Sequence, residues 1–380
     1  MREIYLDNSA TTAVCMEAAE KALEIMTGKY GNPSSLHSKG FEAQKELEEA
    51  RDAAAELLSA EREEIIFTSG GTESNNTAVF GAAEALVRRG NRIVTTSVEH
   101  SSVIEAMQRL EAKGCEVIYL DPDSSGRICR EQLAEAIDKK TILVSIMAVN
   151  NETGAVHPIE AVKKIIDRVG APALFHVDAV QAFGKMPIKP KKLGIDLLSA
   201  SSHKIHGPKG AGILYAAKGT RIVPLHYGGE QERKLRPGTE AMPAVCGMGA
   251  AIRALPDMKQ ELEYIKGLQE RCRQGLAGIE SVHINSGSDN LPYIINFSVR
   301  GIRSETMLHY LAQKGIYVSS GSACAKGKKS HVLTAMGLSG ELADSAIRVS
   351  FSRYNTSQDV DDLLKELTNA DNTLARSRQK

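Results

Sequence analysis

Short apolar runs alternate with stretches of helical periodicity through the middle of the chain, and this alternation most constrains the fold. The apolar runs occupy residues 65–68, 92–96, 116–120, 142–146, 173–177, 196–200 and 212–215. Amphipathic stretches at 75–88, 101–113, 131–138 and 158–168 separate several of them. Such alternation is typical of a mostly parallel sheet covered on both faces, with ligands at the carboxyl ends of the strands. The sequence therefore predicts an α/β fold with a seven-stranded, mostly parallel sheet.

The flanking regions predict further helices and a second, smaller domain. Helical patterns cover residues 13–27, 38–58 and 246–280, and the last third alternates again, with strands at 293–298 and 316–319 and helices at 304–314, 330–337 and 357–375. We expect a large domain over residues 13–250. Residues 1–12 and 251–380 would form a small α+β domain that includes a mobile cysteine loop at about 319–330.

The composition argues against several classes of partner. The 47 basic and 47 acidic side chains cancel, aromatic residues make up only 4% and Trp is absent, so nothing favours nucleic acid or a membrane surface. We found no apolar run long enough to span a bilayer and no signal-peptide pattern at the start, and we expect a cytoplasmic protein. The six cysteines are scattered without a C-x-x-C pair, which favours reduced thiols and no metal site.

Two charged residues at strand ends suggest cofactor chemistry. Lys204 follows the run 196–200, and a buried lysine must be paired or chemically used, for example as a Schiff base. Asp178 ends the run 173–177, where a carboxylate could hold a pyridinium nitrogen protonated, and Gln181 could reach the phenolic oxygen of the same ring. Taken singly, an ordinary lysine at a strand edge and an aspartate capping a helix remain the alternatives.

Two further strand-to-helix turns carry polar groups. Gly70, Gly71 and Thr72 join the run 65–68 to a helix, whose free N–H groups make an anion site suited to one phosphate. His100 follows the run 92–96 and could stack on a cofactor ring and relay protons. A simple capping box and a structural histidine are the alternatives.

Cys324 and Arg348 are the candidates for chemistry on a substrate. Cys324 lies among small and polar residues with Lys326, Lys328 and Lys329 nearby, which favours an exposed loop and a thiolate nucleophile over an incidental surface thiol. Arg348 lies on a predicted strand, and a guanidinium can bind an amino-acid carboxylate through two parallel hydrogen bonds. A surface salt bridge is the alternative for this arginine.

Eight motifs in order resemble the cysteine desulfurases of the NifS/IscS-like group, which belong with the class V aminotransferases. The match runs from about residue 4 to residue 365 through YLDNSATT, TSGGTES, VEHSS, HVDAVQ, SSHKIHGPKG, GGEQERKLRPGTE, SSGSACAKG and IRVSFSRYNT. The resemblance implies the fold type I architecture of pyridoxal-phosphate enzymes and a homodimer. It also implies that Lys204 binds the cofactor covalently and that Cys324 forms a persulfide.

The resemblance implies roles for the remaining site residues. Asp178 and Gln181 would hold the cofactor ring, with His100 stacked on it, and Arg348 would bind the substrate carboxylate, with Asn151 beside ring and substrate. The phosphate side would be formed by Gly71, Thr72, Ser201 and His203, completed by Thr239 of a partner subunit. The segment between Cys324 and the helix beginning at Ser330 is shorter and more basic than in the housekeeping members of the family, which bears on the sulfur acceptor.

These features together predict a cysteine desulfurase that converts L-cysteine to L-alanine and leaves a persulfide on Cys324. The sulfur would pass to an iron–sulfur scaffold, a tRNA-thiolation enzyme or another acceptor protein. A selenocysteine lyase or another class V aminotransferase-like enzyme is the nearest alternative, and Cys324 favours the sulfur reaction. A non-catalytic sulfur-relay scaffold on the same fold is the alternative of a different class.

Overall fold

The structure is a computed structural model that describes residues 2–320 and 330–374. The strands are β1 (Ile4–Tyr5), β2 (Ile65–Thr68), β3 (Arg92–Thr96), β4 (Glu116–Leu120), β5 (Thr141–Met147), β6 (Leu174–Asp178), β7 (Leu197–Ser201), β8 (Gly212–Ala216), β9 (Val282–Ile284), β10 (Ile294–Val299), β11 (Ile316–Tyr317) and β12 (Ala346–Ser350). The α-helices are α1 (Met16–Thr27), α2 (Ser38–Leu58), α3 (Gly71–Leu86), α4 (Ser101–Glu111), α5 (Arg130–Ala136), α6 (Ile159–Val169), α7 (Pro190–Leu193), α8 (Met242–Arg253), α9 (Met258–Ala277), α10 (Ser304–Gln313), α11 (His331–Ala335), α12 (Gly340–Asp344) and α13 (Ser357–Thr373).

The predicted seven-stranded sheet is present, in the order β2-β8-β7-β6-β5-β3-β4. β3 to β7 pair in parallel, and β8 runs antiparallel to both β7 and β2. Neighbouring residues of β3 face opposite sides, because Ile93 joins an apolar cluster with α3 and α4 whereas Val94 joins the cluster that contains α6. The sheet is therefore covered on both faces, and the predicted α/β class is confirmed.

Two smaller sheets connect the beginning of the chain to its last third. β10 lies between β9 and β12 in an antiparallel sheet, and β1 pairs in parallel with β11. Asp7 forms an isolated bridge with Ser350, just after β1. The first dozen residues are thus fixed beside the C-terminal strands, at the edge of the large sheet where the predicted site residues lie.

The prediction of one continuous helix over residues 246–280 is wrong. It consists of the end of α8 and the whole of α9, separated at Pro256. A proline has no N–H to donate and disfavours helical backbone in the residue before it, so the helix ends there. Asp257 then starts α9 by accepting hydrogen bonds from the backbone N–H groups of Lys259 and Gln260. Within the described part of the chain, no helix combines the length and apolar character needed to cross a bilayer.

Candidate active site

Four of the predicted site segments follow strands whose carboxyl ends lie at one edge of the large sheet. Lys204 lies in a short 3-10 helix directly after β7, and Asp178 is the last residue of β6. His100 follows β3 and immediately precedes α4, and Gly71 begins α3 after β2. Because parallel strands place their carboxyl ends together, residues far apart in sequence converge on one site.

The amino group of Lys204 is held by backbone carbonyl groups of the N-terminal segment. Its Nζ donates to the carbonyl oxygens of Ser9 and Ala10, the latter at 2.8 Å. Gln181 donates from Nε2 to the same Ser9 oxygen at 2.9 Å, and its own Oε1 is buried without a hydrogen-bond partner among the described residues. Ser9 thus brings the predicted cofactor lysine next to the predicted ring partner.

Asp178 is buried and accepts hydrogen bonds on both carboxylate oxygens. Asn75 donates to Oδ2 at 2.7 Å and the backbone N–H of Val180 donates to Oδ1 at 2.9 Å. The Asn75 amide also contacts Ser102 Oγ at 2.8 Å, and Ser102 Oγ lies 2.8 Å from Nδ1 of His100. A continuous hydrogen-bonded chain therefore joins the predicted ring carboxylate to the predicted stacking histidine.

The site keeps its histidines in the neutral form. Burial lowers the pKa of His100, the nearby Asp178 carboxylate opposes that shift, and the positive charge of Lys204 adds to it. The Ser102 backbone N–H donates to His100 Nδ1 at 3.2 Å, which requires that nitrogen to be unprotonated. Burial, followed by the charge of Lys204, also lowers the pKa of His203 to about 4. Both rings are therefore neutral near pH 7, so that each carries one unprotonated nitrogen that can accept a hydrogen bond.

The turn before α3 has the shape of an anion cradle. Gly70 has φ +152°, a backbone conformation that favours glycine, and a Cβ on Gly212 would lie 2.6 Å from the Gly70 Cα. A Cβ on Gly71 would approach Val180 to 2.7 Å and Ser201 to 3.7 Å. The small residues let the first turn of α3 pack closely against Val180 and Ser201, and Thr72 is exposed there. A helix N-terminus of this kind is suited to an anion.

Arg348 is buried in β12, and its guanidinium points toward Asn151 and the N-terminal segment that also contacts Lys204. Its Nη1 donates to the Asn151 carbonyl at 3.0 Å and its Nη2 to Asp7 Oδ1 at 2.8 Å, while Nε has no partner among the described residues. Ser9 Oγ donates to the same Asn151 oxygen at 3.3 Å. Asn151 and Ser9 therefore connect the predicted substrate arginine to the amine of Lys204.

Two predicted residues are not placed in the site. Thr239 is exposed, and Arg236 holds its segment near the start of α3 by donating to Glu73 at 2.9 Å. Cys324 and the lysines at 326, 328 and 329 lie outside the described residues. The roles predicted for Thr239 and Cys324 stay predictions.

The side chains present fit pyridoxal phosphate. The turn at Gly71 suits its phosphate, and the buried Asp178 carboxylate suits a protonated ring nitrogen. Gln181, whose Oε1 is unpartnered among the described residues, shares the Ser9 carbonyl oxygen with the amine of Lys204. Asn75 Oδ1, on the amide group that donates to Asp178, is also buried without a partner among the described residues. Buried polar atoms rarely stay unpaired, so this set indicates a polar ligand that is held there.

Comparisons with known proteins agree with this geometry. Residues 4–363 match the family described as aminotransferase class V, so the chain belongs to that family, whose members depend on pyridoxal phosphate. It is 44% identical to a cysteine desulfurase IscS of Methanosarcina thermophila, covering 96% of this chain and 91% of that one. It is 42% identical to a cysteine desulfurase IscS of Dictyoglomus turgidum, covering 100% and 98%.

Solved structures show the same likeness. A NifS-like protein superposes with a TM-score of 0.93 at 39% identity, covering 98% of this chain and 100% of that one. The structure of SspA in complex with cysteine has a TM-score of 0.82 at 34% identity, covering 93% and 100%. The predicted family, fold type and cofactor are confirmed.

Sequence reasoning missed the residues that orient the site. Asp7, Ser9 and Ser102 lie within the motifs quoted above, and Asn75 directly follows TSGGTES. Nothing in the motifs indicated which groups these residues contact. Their position within strand-end turns was the available signal, because such turns meet at one edge of a parallel sheet. Two buried carboxyl groups, Glu99 and Glu152, were also missed, since acidic residues in a turn normally face solvent.

Proposed function

We propose that the chain is a cysteine desulfurase that releases L-alanine from L-cysteine and holds the sulfur as a persulfide on Cys324. The observation that carries the proposal is the linkage of Lys204 and Arg348 through Ser9 and the Asn151 carbonyl. A short hydrogen-bonded path thus connects an amine suited to acid–base chemistry with a guanidinium suited to an amino-acid carboxylate, which supports the proposal.

Each side chain has a defined task in this reaction. Bound pyridoxal phosphate supplies an electron sink for the amino acid that it carries. Arg348 orients the substrate carboxylate, and Lys204 moves the Cα proton while Asp178 keeps the ring nitrogen protonated. His100, neutral near pH 7, takes the proton of the substrate thiol and can return it. The Cys324 thiolate attacks the substrate sulfur, so that an S–S bond forms as the C–S bond breaks. The electron pair of the C–S bond stays with the Cβ, which takes up a proton to give the methyl group of alanine.

The experiment compares variants of the purified holoenzyme in which one cysteine at a time is replaced by alanine. Cys324→Ala should keep the visible absorbance of the bound cofactor but lose alanine formation from cysteine, because no thiolate remains to take the sulfur. Cys129→Ala, which removes an exposed thiol at the start of α5, is the matched control and should behave as wild type. Normal alanine formation by Cys324→Ala would refute the thiol role. Lys204→Ala should abolish both the absorbance and the activity.

The active form is proposed to be a homodimer. Large apolar side chains are exposed along α1, the following linker and the start of α2, namely Met16, Leu23, Met26, Tyr30, Leu36 and Phe41. Contiguous exposed apolar surface is typical of a protein interface. Thr239 is exposed on a segment held near the start of α3, which is consistent with a role in the partner's phosphate site. Sedimentation equilibrium of the holoenzyme tests the dimer.

The proposal also includes the domain boundaries, the sulfur acceptor and the location. The large domain is taken as residues 13–250 and the small domain as residues 1–12 and 251–380.

The sulfur acceptor is proposed to be a protein, such as an iron–sulfur scaffold or a tRNA-thiolation enzyme. Persulfide transfer to partners isolated from the native cell would identify it. A cytoplasmic location agrees with the free thiols of the described cysteines, because disulfides are rare in reducing compartments.

A further inference from the structure

Glu152 is a buried carboxyl group that the mechanism above does not use. It is 4% exposed, and its Oε2 accepts a hydrogen bond from Ser330 Oγ at 2.5 Å. Ser330 is itself buried and is the residue at which the chain enters α11, where its Oγ also accepts from the backbone N–H of Leu333. One serine side chain therefore both caps a helix and donates to a carboxyl group in another part of the fold.

The contacts around Glu152 connect it to the substrate site. Glu152 directly follows Asn151, whose carbonyl oxygen binds Arg348, and the guanidinium of Arg348 interacts electrostatically with Glu152. Burial raises the pKa of Glu152 to about 7, and the charge of Arg348 opposes that shift. The same turn is fixed internally, because the Asn150 side chain accepts from the Glu152 backbone N–H at 2.9 Å. Glu152 is thus held rigidly beside the substrate arginine.

The first residues of α11 also reach the cofactor side of the site. His331 Nε2 lies 3.0 Å from the carbonyl oxygen of Glu99, the residue before His100, and the charge of His331 affects the pKa of His100. Val332 and Leu333 pack in an apolar cluster with Val98. The start of α11 is therefore clamped between the turn that carries Asn151 and the turn that carries His100.

On the other side of the cysteine segment, the chain is fixed to the same arginine. Ser319 pairs with Arg348 through two backbone hydrogen bonds, of 3.1 Å from the Ser319 N–H and 2.6 Å from the Arg348 N–H. Residues 319 and 330 enclose Cys324 in the sequence. Both ends of that segment are therefore bonded to residues that contact, or directly follow, the proposed substrate site.

We propose that Glu152 is a positioning residue for sulfur transfer, acting through its hydrogen bond to Ser330 to fix the point from which the chain carries Cys324 to the substrate. The inference rests on the proposed function. Catalytic groups must be placed within fractions of an ångström, so losing this anchor affects the step that needs Cys324 more than it affects cofactor or substrate binding.

The test is a set of variants at Ser330 with a matched capping control. Ser330→Ala should lower kcat for alanine formation by about 10- to 100-fold, with KM for cysteine and the cofactor absorbance little changed. Ser330→Thr keeps the hydroxyl group and should restore most of the rate. Ser339→Ala removes the same kind of helix cap from α12, where the serine accepts from Leu342, and should leave kcat near that of wild type. Equal kcat values for Ser330→Ala and Ser339→Ala would overturn the proposal.

A double-mutant cycle tests whether the two partners act as a unit. Glu152→Ala should lower kcat about as much as Ser330→Ala, and the double variant should be no slower than either single one. Independent, additive losses would show that Glu152 does not act through Ser330.

Alkylation of the thiols by iodoacetamide separates this proposal from the proposed function. Ser330→Ala should change the alkylation rate of Cys324 several-fold and leave that of Cys129 unchanged, whether or not the protein releases alanine. If wild-type holoenzyme forms no alanine, the proposed function is wrong, while an unchanged Cys324 rate in Ser330→Ala contradicts the positioning role.

Discussion

The carboxylate of Asp178 receives its hydrogen bonds from one side chain and one backbone group, and the side chain belongs to Asn75 in α3. Asn75 lies in the first turns of the helix that begins at the phosphate cradle. One helix therefore begins at the proposed phosphate site and also holds the carboxylate that we propose for the ring nitrogen. Asn75 therefore fixes the position of the carboxylate that we propose as the partner of the cofactor ring.

Asn75→Ala is expected to lower kcat for alanine formation by about ten-fold, because Asp178 loses a donor and Ser102 loses its link to that pair. The absorbance spectrum and kcat of the holoenzyme measure the effect. Asn369→Ala, on the exposed side of α13, is the matched control and should have wild-type kinetics. A wild-type rate for Asn75→Ala would show that the backbone N–H of Val180 alone is sufficient to hold the Asp178 carboxylate in place.

The sequence was sufficient to predict the candidate site residues, whereas the hydrogen-bond partners that orient them are seen only in the structure. Lys204, Asp178 and His100 could be predicted because they stand at strand ends in a recognisable order. The carbonyl oxygens of Ser9 and Ala10 that hold Lys204 could not, since every residue has a carbonyl group and only the fold selects which one faces an amine. The burial of Glu152 depends on packing against Ser330, far along the chain, which no local pattern reports.

At the scale of elements, α8 is the helix against which both N-terminal helices pack. It packs on both α1 and α2, and the backbones approach closely where α8 has glycine. A Cβ on Gly249 would lie 2.7 Å from the Cα and the Cβ of Ala50 in α2. Gly267 in α9, by contrast, is exposed and has open space around it. The two glycines occupy helix interiors for different reasons.

The same substitution should therefore have opposite effects at these two positions. Gly249→Ala should lower the free energy of unfolding by about 1 kcal/mol, since forced backbone displacement outweighs the gain in helix propensity. Gly267→Ala should raise it by about 0.5–1 kcal/mol. Urea denaturation of the two variants measures both changes. A stabilised Gly249→Ala variant would mean that α8 and α2 can separate at little cost.

At the scale of the whole molecule, a fully buried carboxyl group makes the stability of the folded protein depend on pH. Glu99 is fully buried between β3 and β5, accepts from Thr96 and from the Met147 backbone N–H, and has no partner for Oε2 among the described residues. Burial raises the pKa of Glu99 to about 8, and the nearby Asp178 adds to the shift. The folded protein thus keeps this carboxyl group protonated in a range where the unfolded chain ionises it.

Glu99→Gln should stabilise the protein in a pH-dependent way. The folded-state pKa is raised, so wild type loses stability as the pH rises from about 4.5 to about 8, and the variant does not incur that loss. The difference in denaturation midpoint between variant and wild type should be small at pH 5, should grow up to pH 8 and should then level off. A difference that is constant with pH would show that Glu99 is ionised in the folded state.

The pairing of β1 with β11 has a consequence for when the enzyme becomes competent. The carbonyl groups that receive the amine of Lys204 belong to residues 9 and 10, yet this segment is held in place by strands near residues 317 and 350. A nascent polypeptide emerging from the ribosome can form much of the central sheet early. It acquires the full surroundings of that lysine only after its last third has been synthesised. We therefore expect capture of the vitamin-derived coenzyme to be a late event in biogenesis, after β1 has paired with β11.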